Sequence, residues 1–142
     1  MAGIVSFGCY VPKYKMSRKI FRSAMGWLNP FSFPGSKAVA NHDEDAITMA
    51  VAAAMNALEG VRREMVKGLY FATTTAPYRE RESAAIIATA LNLPSNIWTV
   101  DFSNSVRAGV SALLQACEFV KAERSGYVVV CASDCRLGKP GG

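Results

Sequence analysis

Three short polar segments of this chain of 142 residues have the composition of a binding or catalytic site. They are Thr73–Thr75, Ser103–Ser105 and Ser133–Arg136, and each follows a run of apolar residues. If these runs are parallel strands, their carboxyl ends lie at one edge of a sheet, where α/β proteins bind ligands. The second segment leads into a helical pattern, and a helix N-terminus stabilises negative charge and lowers the pKa of a thiol placed there. This arrangement favours nucleophilic chemistry, with cysteine as the natural nucleophile.

Cysteine and histidine usage argues against a metal site. The cysteines form no CxxC pair, and His42 is the single histidine. A tetrahedral zinc site needs four soft or imidazole ligands at closer spacing, so we expect no metal. Two of the four cysteines, Cys117 and Cys131, lie in apolar runs and are predicted to be buried, reduced thiols.

The chain is basic, with a formal net charge of +5. Five basic residues crowd into residues 13–22, and two interpretations stay open: a solvated face, or a surface for an anionic ligand such as a phosphorylated cofactor. No nucleic-acid-binding motif accompanies them, so we expect no nucleic-acid partner. No apolar window approaches the length of a membrane span, and the N-terminus does not have the pattern of a secretory signal. The default expectation is a cytoplasmic protein without membrane contact.

The first half of the sequence predicts one strand and two helices, with a loop between the helices. Residues 3–8 (GIVSFG) predict a short strand, and a weak helical stretch runs from Ser17 to about Leu28. Two prolines and a glycine predict a loop over residues 29–40. A clear helix follows over residues 47–58, with Asp43 as its expected N-cap, Glu44 and Asp45 in its first turn, and Gly60 after its end.

The second half alternates strands with helices, and it is these elements that must position the polar segments. Strands are predicted at residues 69–72, 97–102 and 127–132, with helices at residues 83–91 and 105–122 between them. Right-handed crossovers place such strands in one parallel sheet. The sequence therefore predicts an α/β fold with a mainly parallel sheet covered by helices on both faces. Neither GxGxxG nor GxxxxGK[ST] is present, so nothing supports a nucleotide-binding fold.

The helix at residues 105–122 carries two apolar patterns. Its larger residues mark one face at helical spacing: Val106, Val110, Leu113, Leu114, Cys117 and Val120. Its small residues, Ala108, Gly109 and Ala112, are expected to pack closely against other backbone.

The order of five stretches resembles the N-terminal half of hydroxymethylglutaryl-CoA synthases of the archaeal and bacterial branch, within the thiolase superfamily. These stretches are AGIVSFGCYVPKY, HDEDAITMAVAAAM, LYFATTTAPY, NSVRAGVSALLQA and ASDCRLGKPGG. The resemblance implies a thiolase-like βαβ half, incomplete over residues 1–142, in a fold that is usually dimeric. It also implies an acyltransferase that condenses acyl-CoA thioesters, with a coenzyme A thioester as substrate or ligand.

Two positions depart from the family's pattern. Val106 stands where the resemblance places the nucleophilic cysteine, and valine cannot form a thioester. Thr74 stands where it places the acidic glutamate, and threonine does not shuttle protons near neutral pH. The family's histidine and asparagine would come from a second half.

Neighbouring residues offer weak substitutes. Ser105 precedes the nucleophile position but needs a base, and His42 is distant in sequence. Cys135 is an alternative thiol beyond the last predicted strand. Glu80 and Glu82 follow Pro77 and are expected to lie on a solvated face.

Three functional hypotheses remain open, of which the simplest is a fragment with no activity of its own. In the first, the chain is the N-terminal part of an acyl-CoA-condensing protein that is inactive alone or altered in chemistry. In the second, it is a non-catalytic subunit that binds acyl-CoA or pairs with an active thiolase-like chain. Because the sheet would stop one strand short of the family pattern, we expect a homo- or hetero-oligomer. The resemblance also suggests a zinc-ribbon/OB acyl-CoA-binding protein as a partner.

Overall fold

A computed structural model describes residues 2–25, 34–123 and 126–136. Its strands are β1 (Tyr14–Ser17), β2 (Ser36–Val39), β3 (Val66–Ala72), β4 (Trp98–Phe102) and β5 (Tyr127–Ala132). Its α-helices are α1 (Arg18–Met25), α2 (Ala46–Ala57), α3 (Ser83–Ala90) and α4 (Ala108–Glu123), and a short 3-10 helix spans Arg63–Met65. The predicted βαβαβ order of the second half is confirmed.

The strands β3, β4 and β5 form one parallel sheet with β3 at its centre. Leu69 of β3 is paired with Thr99 on one side and Val129 on the other. The register runs on to the strand ends, where Ala72 is paired with both Phe102 and Ala132. All three strands therefore end level with one another, as the sequence predicts.

The central strand is buried on both faces. Leu69 and Phe71 are fully buried in a cluster that includes residues of α2 and α3, whereas Tyr70 and Ala72 pack with residues of α4. Successive side chains of a strand point to opposite faces, so this division follows from the strand's period of two. The continuous apolar run of β3 thus serves two packing layers, as is typical of parallel sheets.

The N-cap of α2 lies two residues later than expected. The N-cap is Asp45 and not Asp43: its carboxylate accepts a hydrogen bond from the Thr48 backbone N–H at 2.8 Å, and the Thr48 hydroxyl accepts one from the Asp45 N–H at 2.8 Å. This reciprocal capping box satisfies two backbone donors, whereas an aspartate at position 43 has no such partner three residues on. Gly60 adopts a left-handed φ of +74° after the helix, as expected for a terminating glycine.

The helix α3 is capped from a distant strand. Asp101 of β4 accepts hydrogen bonds from the backbone N–H groups of Ser83 and Ala84 at 2.6 and 2.7 Å. The N-cap residue Glu82 makes no side-chain capping bond. A strand carboxylate therefore stabilises the positive end of this helix.

The helix α4 packs on the sheet with its alanine face. Ala108, Ala112 and Ala116 are buried against the side of the sheet that carries Tyr70. The Tyr70 ring lies 5.8 Å from that of Phe102 and 6.4 Å from that of Phe119, so aromatic rings already occupy the space between sheet and helix. Only small side chains fit there, which confirms the prediction for Ala108 and Ala112.

Several larger apolar residues of α4 point away from the sheet, contrary to the usual expectation for such a face. Val110, Leu113 and Leu114 are 56%, 45% and 63% exposed, and Val106 in the turn before the helix is 86% exposed. The prediction for Gly109 was also wrong. A Cβ at that position would meet only the Ala132 Cβ, at an ordinary 3.7 Å.

The N-terminal predictions are corrected by the structure. Residues 3–8 form no strand, and Ile4 and Phe7 are 79% and 88% exposed. Within the described ranges no strand edge pairs with this segment, and a strand needs such a partner for its backbone groups. Gly8 instead lies against α2, where a Cβ would collide with backbone of Ala53 and Ala57.

The loop predicted over residues 29–40 contains a strand. Within it, β2 pairs antiparallel with β1, which precedes α1. The pairing supplies backbone partners that the local sequence does not reveal. The helix predicted from Ser17 is observed as α1, and its predicted end near Leu28 lies outside the described residues.

The close approach of α4 to the sheet predicts that Ala112→Leu destabilises the chain. The added side chain has no space at a fully buried alanine, so the free energy of unfolding should fall by about 1–3 kcal/mol. Urea unfolding measures the change. Ser111→Leu adds the same kind of side chain to the exposed side of the same helix and should leave the midpoint nearly unchanged. Equal midpoints for the two variants would contradict the packing described.

Candidate functional site

The carboxyl ends of the three parallel strands meet at one edge of the sheet. The sheet continues by one backbone hydrogen bond on each side of β3: Thr73 N–H donates to the Phe102 carbonyl at 2.9 Å, and Ser133 N–H donates to the Ala72 carbonyl at 3.1 Å. The polar segments that follow the strands therefore start side by side, as predicted from their positions in the sequence.

Asp134 connects the segment after β5 to the segment after β3. Its Oδ1 accepts hydrogen bonds from Thr74 N–H at 2.6 Å, Thr73 Oγ1 at 3.1 Å and Thr75 Oγ1 at 3.4 Å. These bonds draw the two segments around a single carboxylate oxygen. Thr74, the position that the resemblance assigns to the acid, is thus held through its backbone.

The environment of Asp134 favours its ionised form. Partial burial opposes ionisation, but hydrogen bonds from Thr74 and Thr73 and the positive charge of Arg136 outweigh it, so the pKa of Asp134 lies below its usual value. The carboxylate is therefore charged near neutral pH, which suits it to holding donors and not to donating a proton.

Cys135 ties the same edge to the start of α2. Its backbone N–H donates to Thr75 Oγ1 at 2.8 Å, and its half-buried thiol donates to the Glu44 carbonyl at 3.8 Å. The other thiol of β5, Cys131, is buried, and burial raises its pKa to about 12. Cys131 is confirmed as a buried reduced cysteine, whereas Cys117 is only half-buried.

The turn that precedes α4 carries the position assigned to the nucleophile. Ser105 Oγ accepts a hydrogen bond from Arg107 N–H at 3.1 Å, which makes Ser105 a local cap of the turn. Val106 follows with its side chain 86% exposed, and nothing in the described part of the chain covers it. The start of α4 still lies near the end of β3, since Ala72 and Ala108 belong to one buried cluster.

A large cavity opens beside the end of β5. Its volume is about 1150 Å³, and its walls come from the N-terminal segment, the β1–β2 pair, α1, α2 and residues 132–136. Most of the wall is apolar, with side chains such as Met16, Phe21 and Met49, while Arg18 and Lys37 add positive charge. Asp134, Cys135 and Arg136 also line this cavity.

Sequence reasoning found only part of this cavity. Arg18 belongs to the basic cluster of residues 13–22, but Lys37 and Arg136 were missed as lining residues. Lys37 lies in a stretch predicted as a loop, and only its pairing in β2 brings it to the cavity. The polar segment containing Arg136 was identified, but no pattern indicated which of its side chains face a cavity.

The remaining candidates lie away from a reactive arrangement. His42 is exposed, and its Nδ1 lies 3.1 Å from Asn41 Oδ1. Glu80 and Glu82 are exposed, as expected for a solvated face. Among the residues that the structure describes, no group of three or more His, Cys, Asp or Glu side chains is placed to hold a metal ion. None of the described helices has the length and apolar character needed to cross a bilayer.

Comparison with known proteins identifies relatives of this chain by sequence. No protein-family model matches the chain. Hydroxymethylglutaryl-CoA synthase of Thermococcus gammatolerans is 34% identical over 142 residues, which cover 98% of this chain and 40% of that protein. The synthase of Pyrococcus furiosus is 35% identical with the same coverage. The chain thus spans about two fifths of the length of the curated relatives that it matches.

Two solved structures share the fold. Xanthomonas campestris OleA H285D matches with a TM-score of 0.82 at 16% identity, covering 91% of this chain and 42% of that chain. The 3-oxoacyl-[acyl-carrier-protein] synthase III of Aquifex aeolicus matches with a TM-score of 0.79 at 22% identity, covering 93% and 44%.

The parallel sheet, its helical layers and these structural matches define a thiolase-like α/β chain. Within that class the chain is similar in sequence to hydroxymethylglutaryl-CoA synthases, over about two fifths of their length.

The hydrogen bonds around Asp134 predict a pH dependence of stability. A carboxyl group whose pKa is lower in the folded than in the unfolded state stabilises the fold above its unfolded pKa of about 3.9 and loses this effect as the pH falls through the folded value. Asp134→Asn should therefore be less stable than the unaltered chain at neutral pH, and the difference should shrink on acidification below pH ~4. Thermal melting across this range measures it. Asp43→Asn, at an exposed aspartate, is the control, and a constant difference for Asp134→Asn at all pH values would contradict the assignment.

Proposed function

We propose that this chain is the acyl-CoA-binding N-terminal part of a thiolase-like condensing protein whose position 106 no longer forms an acyl-enzyme. The observation that carries the proposal is the cavity beside the end of β5, where apolar walls and basic side chains occur together. A coenzyme A thioester combines an apolar acyl chain with phosphate groups, so it matches both parts of that lining. The similarity to hydroxymethylglutaryl-CoA synthases supports the same class of ligand.

The basic side chains give the cavity its preference for an anion. Arg18 begins α1, Lys37 lies in β2 and Arg136 follows β5, and all three residues line the cavity. Guanidinium groups form paired hydrogen bonds with phosphate oxygens, and lysine adds a point charge. In our proposal these side chains hold the phosphates while the acyl end reaches the carboxyl edge of the sheet.

The chemistry at that edge differs from nucleophilic catalysis. Val106 offers no lone pair, and Thr74 cannot exchange protons near neutral pH. Ser105 has its oxygen engaged by the Arg107 N–H, and no described contact provides it with a base. We therefore infer that this part of the protein binds the thioester without taking up the acyl group, so that any condensation depends on residues outside the matched region.

A second candidate function is a non-catalytic subunit that binds acyl-CoA or pairs with an active thiolase-like chain. The observation that favours it is the free edge of β5, since no described strand pairs with the side of β5 that faces away from β3. An open strand edge accepts a strand from another chain. Co-purification of a thiolase-like chain, or of the zinc-ribbon/OB type of partner, would favour this alternative. A cytoplasmic location is part of both proposals.

The cavity predicts that coenzyme A and acetyl-CoA bind with a salt-sensitive affinity. Reversing one charge in the lining, by Arg18→Glu or Arg136→Glu, should weaken binding by about tenfold or more, because a charge-assisted hydrogen bond contributes about 1.5–3 kcal/mol. Isothermal titration calorimetry measures the dissociation constants.

The control for this experiment is Lys67→Glu. Lys67 is exposed on β3 and does not line the cavity, so the same change of charge should leave binding nearly unaltered. Equal losses of affinity for all three variants would show that the effect comes from net charge and not from the cavity. If the unaltered chain does not bind coenzyme A or acetyl-CoA, the proposed ligand is wrong.

The absence of a nucleophile at position 106 predicts that acetyl-CoA leaves no acetyl group on the chain. Intact-mass spectrometry after incubation should show the unmodified mass. Val106→Cys is the matched variant, because it places a thiol at the start of α4, where the helix N-terminus lowers the pKa of a thiol. Acetylation of this variant alone would identify position 106 as the nucleophile position. A thioester or ester on the unaltered chain, at Cys135 or Ser105, would show that the nucleophile lies elsewhere.

A further inference from the structure

The apolar face of α1 borders the cavity beside the end of β5 and does not join the core. Ile20, Phe21 and Ala24 line that cavity, whereas Lys19 and Arg22 of the same helix do not. The side chains of Ile20 and Phe21 are 62% and 52% exposed, and no residue of the described part of α1 belongs to either buried cluster. A helix with one apolar face usually covers that face with another apolar group. The cavity is the space in which such a group would lie.

The other walls of the cavity continue this apolar surface. Met16 of β1, Val39 of β2 and Met49 of α2 all line it. The volume of about 1150 Å³ exceeds the roughly 300–1,000 Å³ that is usual for small-molecule sites. An acetyl group would cover only a small part of these walls, whereas a longer hydrocarbon chain would extend across them.

Positive charges lie next to the apolar walls. Met16 and Lys37 are opposite each other in the β1–β2 pair, and the side chains of paired residues lie on the same face. Arg18 begins α1, and Arg136 also lines the cavity. Asp134 adds one negative charge, but its Oδ1 already accepts hydrogen bonds from the segment after β3. The lining therefore fits an occupant that combines an anionic part and a hydrocarbon part in one molecule.

We propose that the cavity selects coenzyme A thioesters of medium-length linear acyl chains, such as the octanoyl group, over acetyl-CoA. The acyl chain covers the apolar walls of α1, β1 and α2, while the basic side chains hold the phosphates. This selectivity rests on the proposed binding of coenzyme A thioesters and adds to it the class of acyl group. Its source is the removal of methylene groups from water, which favours binding in proportion to the apolar area that is covered.

Isothermal titration calorimetry with coenzyme A, acetyl-CoA and octanoyl-CoA tests this selectivity. Complete burial of one methylene group raises a binding constant by about fourfold. A chain that is covered on one side only gains about half of that free energy, or about twofold for each methylene group. Octanoyl-CoA should therefore bind at least about tenfold more tightly than acetyl-CoA, and hexanoyl-CoA should lie between them.

Two variants place a polar group on the apolar wall. Met16→Gln and Phe21→Gln should each lower the ratio of octanoyl-CoA affinity to acetyl-CoA affinity by about threefold or more, because the chain then displaces water from an amide. Both side chains are partly exposed, so the fold should tolerate the changes, which circular dichroism checks. Met55→Gln is the matched control. It makes the same exchange at an exposed methionine of α2 that does not line the cavity, and it should leave the ratio unaltered.

The same titrations separate this selectivity from the binding of coenzyme A itself. Equal affinities of the unaltered chain for acetyl-CoA and octanoyl-CoA would overturn the selectivity, leave the proposed binding of coenzyme A thioesters in place, and assign the apolar face of α1 to a different occupant. If none of the three compounds binds, both proposals are wrong. An equal fall of the ratio in Met55→Gln would also overturn the selectivity, since the longer chain would then be held by scattered apolar surface and not by the cavity.

Discussion

The rest of the structure depends on one strand that has to satisfy two packing layers at once. β3 lies between two parallel neighbours that pair with residues Gly68–Ala72 on both sides, and the side chains of 69–72 alternate between the layer of α2 and α3 and the layer of α4. Leu69 and Phe71 on one face, and Tyr70 and Ala72 on the other, are all buried, so this end of β3 has no solvated side. Because the neighbouring strands are held level with β3, the polar residues that follow them are held level as well. The candidate site is thus a consequence of sheet register, and the loops add the Asp134 contacts to it.

The sequence predicts the part of the fold in which local pattern and tertiary packing agree. The apolar run of residues 127–132 matches β5 at both ends, and residues 83–91 match α3 to within one residue. The N-terminal part could not be predicted in the same way. The run GIVSFG has a strand-like composition but no described edge to pair with, whereas Lys37 lies in a strand because β1 supplies its partner. A strand is a property of two segments, and a single segment cannot reveal it.

The candidate site likewise has a part that the sequence predicts and a part that depends on tertiary contacts. The convergence of the polar segments follows from the βαβ order, which is visible in the sequence. The role of Asp134 does not, because three donors around one carboxylate oxygen depend on how two loops approach each other. The faces of α4 also show what sequence periodicity can and cannot predict. Periodicity identifies Val110, Leu113 and Leu114 as one apolar face, but it cannot state that the sheet takes the alanine face, since that choice depends on the bulk of Tyr70 and Phe119.

The carboxylate of Asp101 has a consequence for the order in which the chain folds. α3 spans eight residues, is apolar on nearly every side and receives no bond from its own N-cap residue, so it has little stability as an isolated helix. Its first backbone donors find their acceptor on β4, a strand that comes later in the chain and pairs with β3. During synthesis the segment of α3 therefore emerges before the group that completes it. Helix formation and the docking of β4 become a single cooperative step, and the two elements form one folding unit although a loop separates them.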